Sequence, residues 1–336
     1  MGFLGLSRLA LTLGAATALL AACGGSQPPI GAPGVVPQSS AIAAHSGSRV
    51  LPDVKKGGDL LYVLPEITKK CPGTCVYSYP QGKLVQSLNL SGADVCSDGQ
   101  GNVFITGQGK YGSEIVEYAH GGTSPIATLS LGQGAEAGGC GLDPGTGNLA
   151  VTYYSGGESC RAGVAIFPGA QGTPTTYCDA STLPLHCGYD SEGNLFLLGV
   201  SGGDGYVFQE LPQDSNTITT ITISGLDPYD LEPGRVQWDG SYMALQETST
   251  STIYRVQVSG STATIVGTTT FNGLYGAADG ASWIQGNRIV LPFKLPGQPA
   301  AVGIWSYPGG GDVLKTFKKG LGRKYPTAVA VSVAPK

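Results

Sequence analysis

The sequence predicts an all-β fold: a six-bladed β-propeller of four-stranded antiparallel blades, closed by the C-terminal strand completing the first blade. Three observations predict it. A turn motif recurs at a nearly constant interval, glycine (54) and proline (22) punctuate a chain without helical periodicity, and the chain begins and ends on complementary fractions of one repeat.

The motif is an apolar run, Asp, two or three turn residues, Gly-Asn, and a second apolar run. It occurs at Val95-Cys96-Ser97-Asp98 with Gly101-Asn102-Val103-Phe104-Ile105, at Leu142-Asp143 with Gly147-Asn148-Leu149, and at Tyr189-Asp190 with Gly193-Asn194-Leu195. Degenerate copies follow at Trp238-Asp239-Gly240 and at Gly286-Asn287. Asp98, Asp143, Asp190 and Asp239 are 45, 47 and 49 residues apart, and six such units fill the chain from Asp59 onward. In a tight hairpin Gly supplies a positive φ and Asp or Asn bonds the turn amides, so the motif closes the link between a blade's first two strands and its aspartates are structural. A third and a fourth strand follow each hairpin, as in Val76-Tyr77-Ser78-Tyr79-Pro80 then Lys83-Leu84-Val85, and Ile304-Trp305-Ser306-Tyr307-Pro308 then Val313-Leu314-Lys315.

The ends fit a ring. The first repeat starts at its second strand, Leu60-Leu61-Tyr62-Val63, and the chain finishes on an opening-type strand, Thr327 to Val333. Pairing the two closes the ring and greatly reduces the liability of open sheet edges.

Ahead of the propeller at residues 58–336, residues 1–22 read as an export leader: Arg8, an apolar stretch from Leu9 to Leu20, then small residues. Leu20-Ala21-Ala22-Cys23 resembles the lipobox of bacterial lipoproteins. That resemblance implies acylation of Cys23, membrane attachment through the lipid, and a place in the cell envelope; Gly24 after the cysteine implies the outer membrane where the host has two. An ordinary secretory leader with an incidental cysteine is the plainer alternative. Residues 23–57, rich in Gly, Ser, Pro, Gln and Ala, bury too little to offset their ordering entropy and form a flexible tether. With its Asp-x-x-Gly-Asn hairpins and swapped terminal strand, the stretch from about residue 58 to 336 resembles the NHL-type propellers, and specifically the secreted bacterial NHL-like lipoproteins of unassigned role; it departs from them in the fifth and sixth repeats, where Gly-Asn or Asp is lost.

Seven cysteines remain, and export makes disulfides the first reading. Cys71 and Cys75 flank a Pro-Gly turn. Cys160 and Cys178 lie within one repeat and can staple a loop to the outer strand. Cys96, Cys140 and Cys187 fall at equivalent points of three opening strands, where they either bridge in part or pack as small hydrophobes; three thiolates on a metal is the sharper idea, without the usual His ligand spacing.

Charged residues are 12% and the net charge is −4, which excludes the basic footprint of a nucleic-acid binder. Residues at the loops leading into the innermost strands, Asp94, Glu136, His186, Arg235 and Asp279, form the candidate ligand site at the channel mouth. The plain alternative is that such loops are polar because they are wet. No Ser-His-Asp order, phosphate loop, HExxH helix or dinucleotide fingerprint occurs, so no catalytic residue, metal or cofactor is assigned. The expected function is non-enzymatic binding or scaffolding, with an envelope protein or a small polar ligand as partner. A propeller enzyme resembling streptogramin lyases or lactonases is the alternative, for which His186 alone is suitably placed. A third reading makes Tyr77, Tyr79 and Tyr307 contacts in an envelope assembly, against which their shared repeat position points to packing between blades.

Overall fold

The computed structural model describes residues 57–336 except 66–67, 110–111, 156–159, 180, 203–204 and 275–277. The leader, Cys23, His45 and the tether through residue 56 lie outside the described residues. Among the described residues there is no α-helix, only two short 3-10 turns, and no helix long and apolar enough to cross a membrane.

Strands form where apolar residues run or alternate, and they stop at the Gly- and Asp-bearing turns. Leu60–Leu64 (β1), Thr74–Ser78 (β2) and Leu84–Leu88 (β3) make one sheet with the C-terminal Ala328–Ser332 (β24), in the order β24-β1-β2-β3. Asp94–Ser97 (β4), Val103–Gly109 (β5), Gly112–Tyr118 (β6) and Pro125–Ser130 (β7) make a second; Ala135–Leu142 (β8), Leu149–Ser155 (β9), Ala162–Phe167 (β10) and Thr175–Cys178 (β11) a third. Two further meanders are Thr182–Tyr189 (β12), Leu195–Ser201 (β13), Tyr206–Leu211 (β14) and Thr219–Ser224 (β15), then Pro233–Trp238 (β16), Met243–Glu247 (β17), Thr252–Ser259 (β18) and Thr262–Thr270 (β19). Trp283–Gln285 (β20), Arg288–Phe293 (β21), Ala301–Ser306 (β22) and Gly310–Phe317 (β23) complete the set.

The expectation of six separate blades needs correction. Among the described residues there are four separate four-stranded sheets and one eight-stranded sheet, because Thr222–Ser224 of β15 pairs in parallel with Thr262–Thr264 of β19. Both are outermost strands whose free N–H and C=O groups would otherwise face water, and pairing them removes two exposed edges.

Chain closure follows the expected pairing of the last strand with the first. Leu60 to Leu64 pair antiparallel with Ser332 to Ala328, and Ala334 N–H donates to Asp59 Oδ1 at 2.9 Å. Strands β1, β17 and β24 are buried along their whole length, whereas β15 alternates exposed and buried as a strand with one wet face does. The core is divided: among the described residues, six apolar clusters each join one four-strand meander to the next, and the last joins β21–β23 to β1, β2 and β24. Tyr77, Tyr79 and Tyr307 are buried in these seams, which settles them as packing residues.

The hairpins form as their composition demands. Asp98 Oδ1 accepts from the Gln100 and Asn102 amides at 2.9 and 2.8 Å, and Asp190 repeats this with Glu192 and Asn194. Gly101 has φ +87, and a Cβ there would stand 2.2 Å from the Val333 carbonyl oxygen, so both the turn and the closing strand require glycine. Disulfides join Cys71 to Cys75, Cys160 to Cys178 and, across sheets, Cys96 of β4 to Cys140 of β8; Cys187 is a buried free thiol.

Candidate functional site

Six strands, β4, β8, β12, β16, β20 and β24, stand innermost, each packed against the next and β20 against β24. Three of them depart from regular pairing where they begin: β8 between Ala137 and Cys140, β12 between Pro184 and His186, and β16 between Pro233 and Val236. Such bulges redirect side chains. Arg235 lies within the third.

The Arg235 guanidinium reaches Asp94, at the start of β4, in a bidentate pair: Nη2 to Oδ1 at 2.6 Å and Nη1 to Oδ2 at 3.1 Å. Its remaining N–H groups go to protein carbonyls. Nε donates to Ser282 at 3.0 Å, Nη1 to Cys140 at 3.4 Å, and Nη2 to Val95 at 3.0 Å. All five donors of the guanidinium are thereby used, and the acceptors come from β4, β8 and the segment leading into β20. The Trp283 ring lies 5.5 Å from the guanidinium carbon. Asp94 in turn accepts from the Val95 amide at 2.8 Å and the Cys140 amide at 3.0 Å. Both residues are almost fully buried, at 2% and 3% exposure. A buried pair so completely bonded is costly to break from one side, by about 3–5 kcal/mol.

His186 stands on β12 within electrostatic reach of this pair but is not bonded to it. Its ring is half-buried, while Nδ1 itself is out of reach of solvent and has no hydrogen-bond partner. Burial pushes its pKa down to about 4, with Asp94 pulling upward and Arg235 downward, so the imidazole is neutral at pH 7. Glu136 and Asp279 stay apart from these three as exposed side chains on β8 and ahead of β20. Partial burial, then Glu232, raise the Asp279 pKa, and Lys294 offsets them in part. His120 belongs to the β6–β7 turn, where Nδ1 lies 2.6 Å from Ser332 Oγ of the closing strand. Among the described residues, no three His, Cys, Asp or Glu side chains gather closely enough to share a metal ion.

Sequence reasoning missed a layer of polar connectors. Thr106 Oγ1 donates to Gly138 O, Thr152 Oγ1 to Leu185 O, and Gln246 Nε2 to Gly280 O, each tying a second strand to the next inner strand or the segment leading into it. Gln246 Oε1 also accepts from the Arg235 and Ser282 amides, at 3.2 and 2.8 Å. All three side chains are fully buried. Their signal was present: each is a polar residue interrupting an apolar strand, which a buried position tolerates only when hydrogen-bonded.

This fold and central knot define a propeller-like protein. No protein-family model matches the chain, and no curated protein matches it in sequence. Solved structures do share its fold. A Bacteroides caccae protein of unknown function superposes with a TM-score of 0.58 at 10% identity, covering 82% of this chain and 99% of that one. TolB from Acinetobacter baumannii gives 0.56 at 14% identity, over 82% of this chain and 66% of TolB. A Bacteroides uniformis protein described as a candidate 6-phosphogluconolactonase gives 0.51 at 13%, over 79% and 84%. At such identities the likeness is one of fold alone.

Proposed function

We propose that this chain is a membrane-tethered, non-enzymatic binding or scaffolding module whose folded part is a six-bladed, NHL-like propeller. The eight-stranded sheet is read here as two blades sharing their outer strands. Six seams of apolar residues in cyclic order support that count. The tether rests on the lipobox-like Leu20-Ala21-Ala22-Cys23 and on the composition of residues 23–57.

The observation that carries the non-enzymatic reading is the saturation of Arg235. A catalytic guanidinium needs donors free for developing charge, and here all five are held by Asp94 and backbone carbonyls. The pair is a fastener between inner strands.

The lyase or lactonase alternative is favoured by one feature, the unpartnered Nδ1 of His186 near Asp94. A base with a pKa of about 4 is weak at neutral pH, and a general base works best near its operating pH. The readings separate when the full chain is assayed on a panel of lactones and esters with and without divalent cations. The binding module gives no turnover above buffer; turnover abolished by His186→Ala would establish the enzyme. The tether is tested by incorporation of labelled palmitate, which Cys23→Ser should eliminate.

A further inference from the structure

The positive charge of this acidic chain is unevenly placed. Lys69, Lys70, Lys318 and Lys319 stand around one cleft of about 450 Å³, whose other lining residues, among the described ones, are Thr68, Pro299, Gly320 and Leu321. None of the eight is a carboxylate. Among the described residues, no carboxylate forms an ion pair with any of the four lysines.

The two lysine pairs come from segments some 250 residues apart and are held in place by their backbones. Lys69 and Lys70 occupy the tip of a two-residue hairpin, in which Thr68 and Cys71 exchange N–H to O=C bonds at 2.9 and 3.1 Å, and the Cys71–Cys75 disulfide clips its far arm. Lys318 and Lys319 open a second four-residue turn closed by Leu321 N–H to Lys318 O at 3.2 Å, with Gly320 at φ +95 in the third position. The turns are fastened to one another by Thr68 Oγ1 donating to Gly320 O at 2.8 Å, and the second is also bound by Tyr77 Oη donating to Lys319 O at 2.8 Å. Four lysines are thus carried on two turns that are fastened to one another, so their positive charges share one cleft, and such a concentration of one sign attracts anions. Lysine ammoniums suit phosphate as point charges, without the planar fork that arginine offers carboxylates. The cleft volume is that of a small-ligand site.

We propose that this four-lysine cleft binds a ligand carrying two or more phosphate groups, in the manner of a pyrophosphate. The β1–β2 loop and the β23–β24 loop that build it belong to the same face as the loops leading into the inner strands, because antiparallel strands in a meander place these connections together. The site stands apart from Arg235 and holds whether or not the channel mouth carries chemistry.

The test uses the full chain bearing Cys23→Ser, so that no lipid anchor contributes. Inorganic pyrophosphate and tripolyphosphate are titrated by calorimetry at fixed ionic strength. Anionic phosphatidylglycerol vesicles and neutral phosphatidylcholine vesicles are tested by sedimentation. Saturable pyrophosphate binding is expected, weakened at least tenfold in Lys69→Gln/Lys70→Gln and in Lys318→Gln/Lys319→Gln, and unchanged in Lys336→Gln. Vesicle binding displaced by pyrophosphate would identify a lipid headgroup as the source of phosphate, and pyrophosphate binding without vesicle binding a soluble one. The lysines are exposed, so the variants should unfold at or above the parent midpoint. Absence of saturable binding to every probe, or binding that persists in both double variants, overturns the proposal.

Discussion

Asp94 and Arg235, 141 residues apart in the chain, meet in a buried bidentate pair at 2.6 and 3.1 Å, and that pair fastens β4, β8 and β16 around one point. Removing either partner strands a buried charge. Asp94→Ala and Arg235→Ala should each lower stability by about 3–5 kcal/mol, whereas Asp94→Leu combined with Arg235→Met should cost less than either single change. Urea unfolding of the four proteins checks this, and singles that cost under 1 kcal/mol would show the pair to be incidental.

The seam between the closing strand and the second sheet should be sensitive at one glycine. Gly101→Ala must carry a side chain at φ +87 and displace the Val333 carbonyl. A loss of about 1–3 kcal/mol is expected. Gly99→Ala, with open space around its Cβ, is the control and should be near neutral.

Hairpin aspartates should differ in cost according to their partners. Asp190 bonds only within its own turn, to Glu192, Asn194 and the Asn194 amide group. Asp239 also accepts from Arg255 Nε at 2.5 Å and Tyr307 Oη at 2.7 Å. Asp190→Ala should therefore cost about 0.5–2 kcal/mol, by analogy with a lost cap, and Asp239→Ala visibly more.

Two groups should give the stability curve opposite slopes in acid. His186 takes up a proton near 6.5 when unfolded but only near 4 when folded, so between those values the unfolded chain binds more protons and stability falls as pH drops. For Glu117 burial, and then Asp98, raise the folded pKa from 4.5 to about 7, so the folded chain binds more protons in that window and stability falls as pH rises. His186→Gln should remove the first slope and Glu117→Gln the second. Unfolding free energies measured from pH 4 to 7.5 would reveal it, and unchanged profiles in both variants would refute the assignment.

Among the three disulfides, Cys96–Cys140 spans 44 residues, against 18 for Cys160–Cys178 and 4 for Cys71–Cys75. On the chain-entropy account its loss should cost most, about 4 kcal/mol. Thiol titration offers a second check. The native chain should expose no reactive thiol from the described residues, and the unfolded, unreduced chain should release Cys187.

The sequence by itself determined what is local. Hairpin chemistry at Asp98, Asp143 and Asp190, the interval between them and the shared position of the buried tyrosines follow from turn geometry and strand alternation, which neighbouring residues specify; the one distant pairing that was legible, Leu60–Leu64 with Ala328–Ser332, followed from the strands left over by the repeat. Only the tertiary structure decided what depends on ring closure. Asp94 and Arg235 read alike with Glu136 and Asp279 as polar residues near inner strands, and only the bulge in β16 and the convergence of several strands selected the first two as partners. The parallel pairing of β15 with β19 was equally hidden, since a strand such as Thr219–Ser224 alternates in the same way whether its outer edge meets water or another strand. The four-lysine cleft belongs to this class too. Lys69-Lys70 and Lys318-Lys319 are unremarked dipeptides in the chain, and they share one cleft because the swapped last strand brings the end of the chain back to its first sheet.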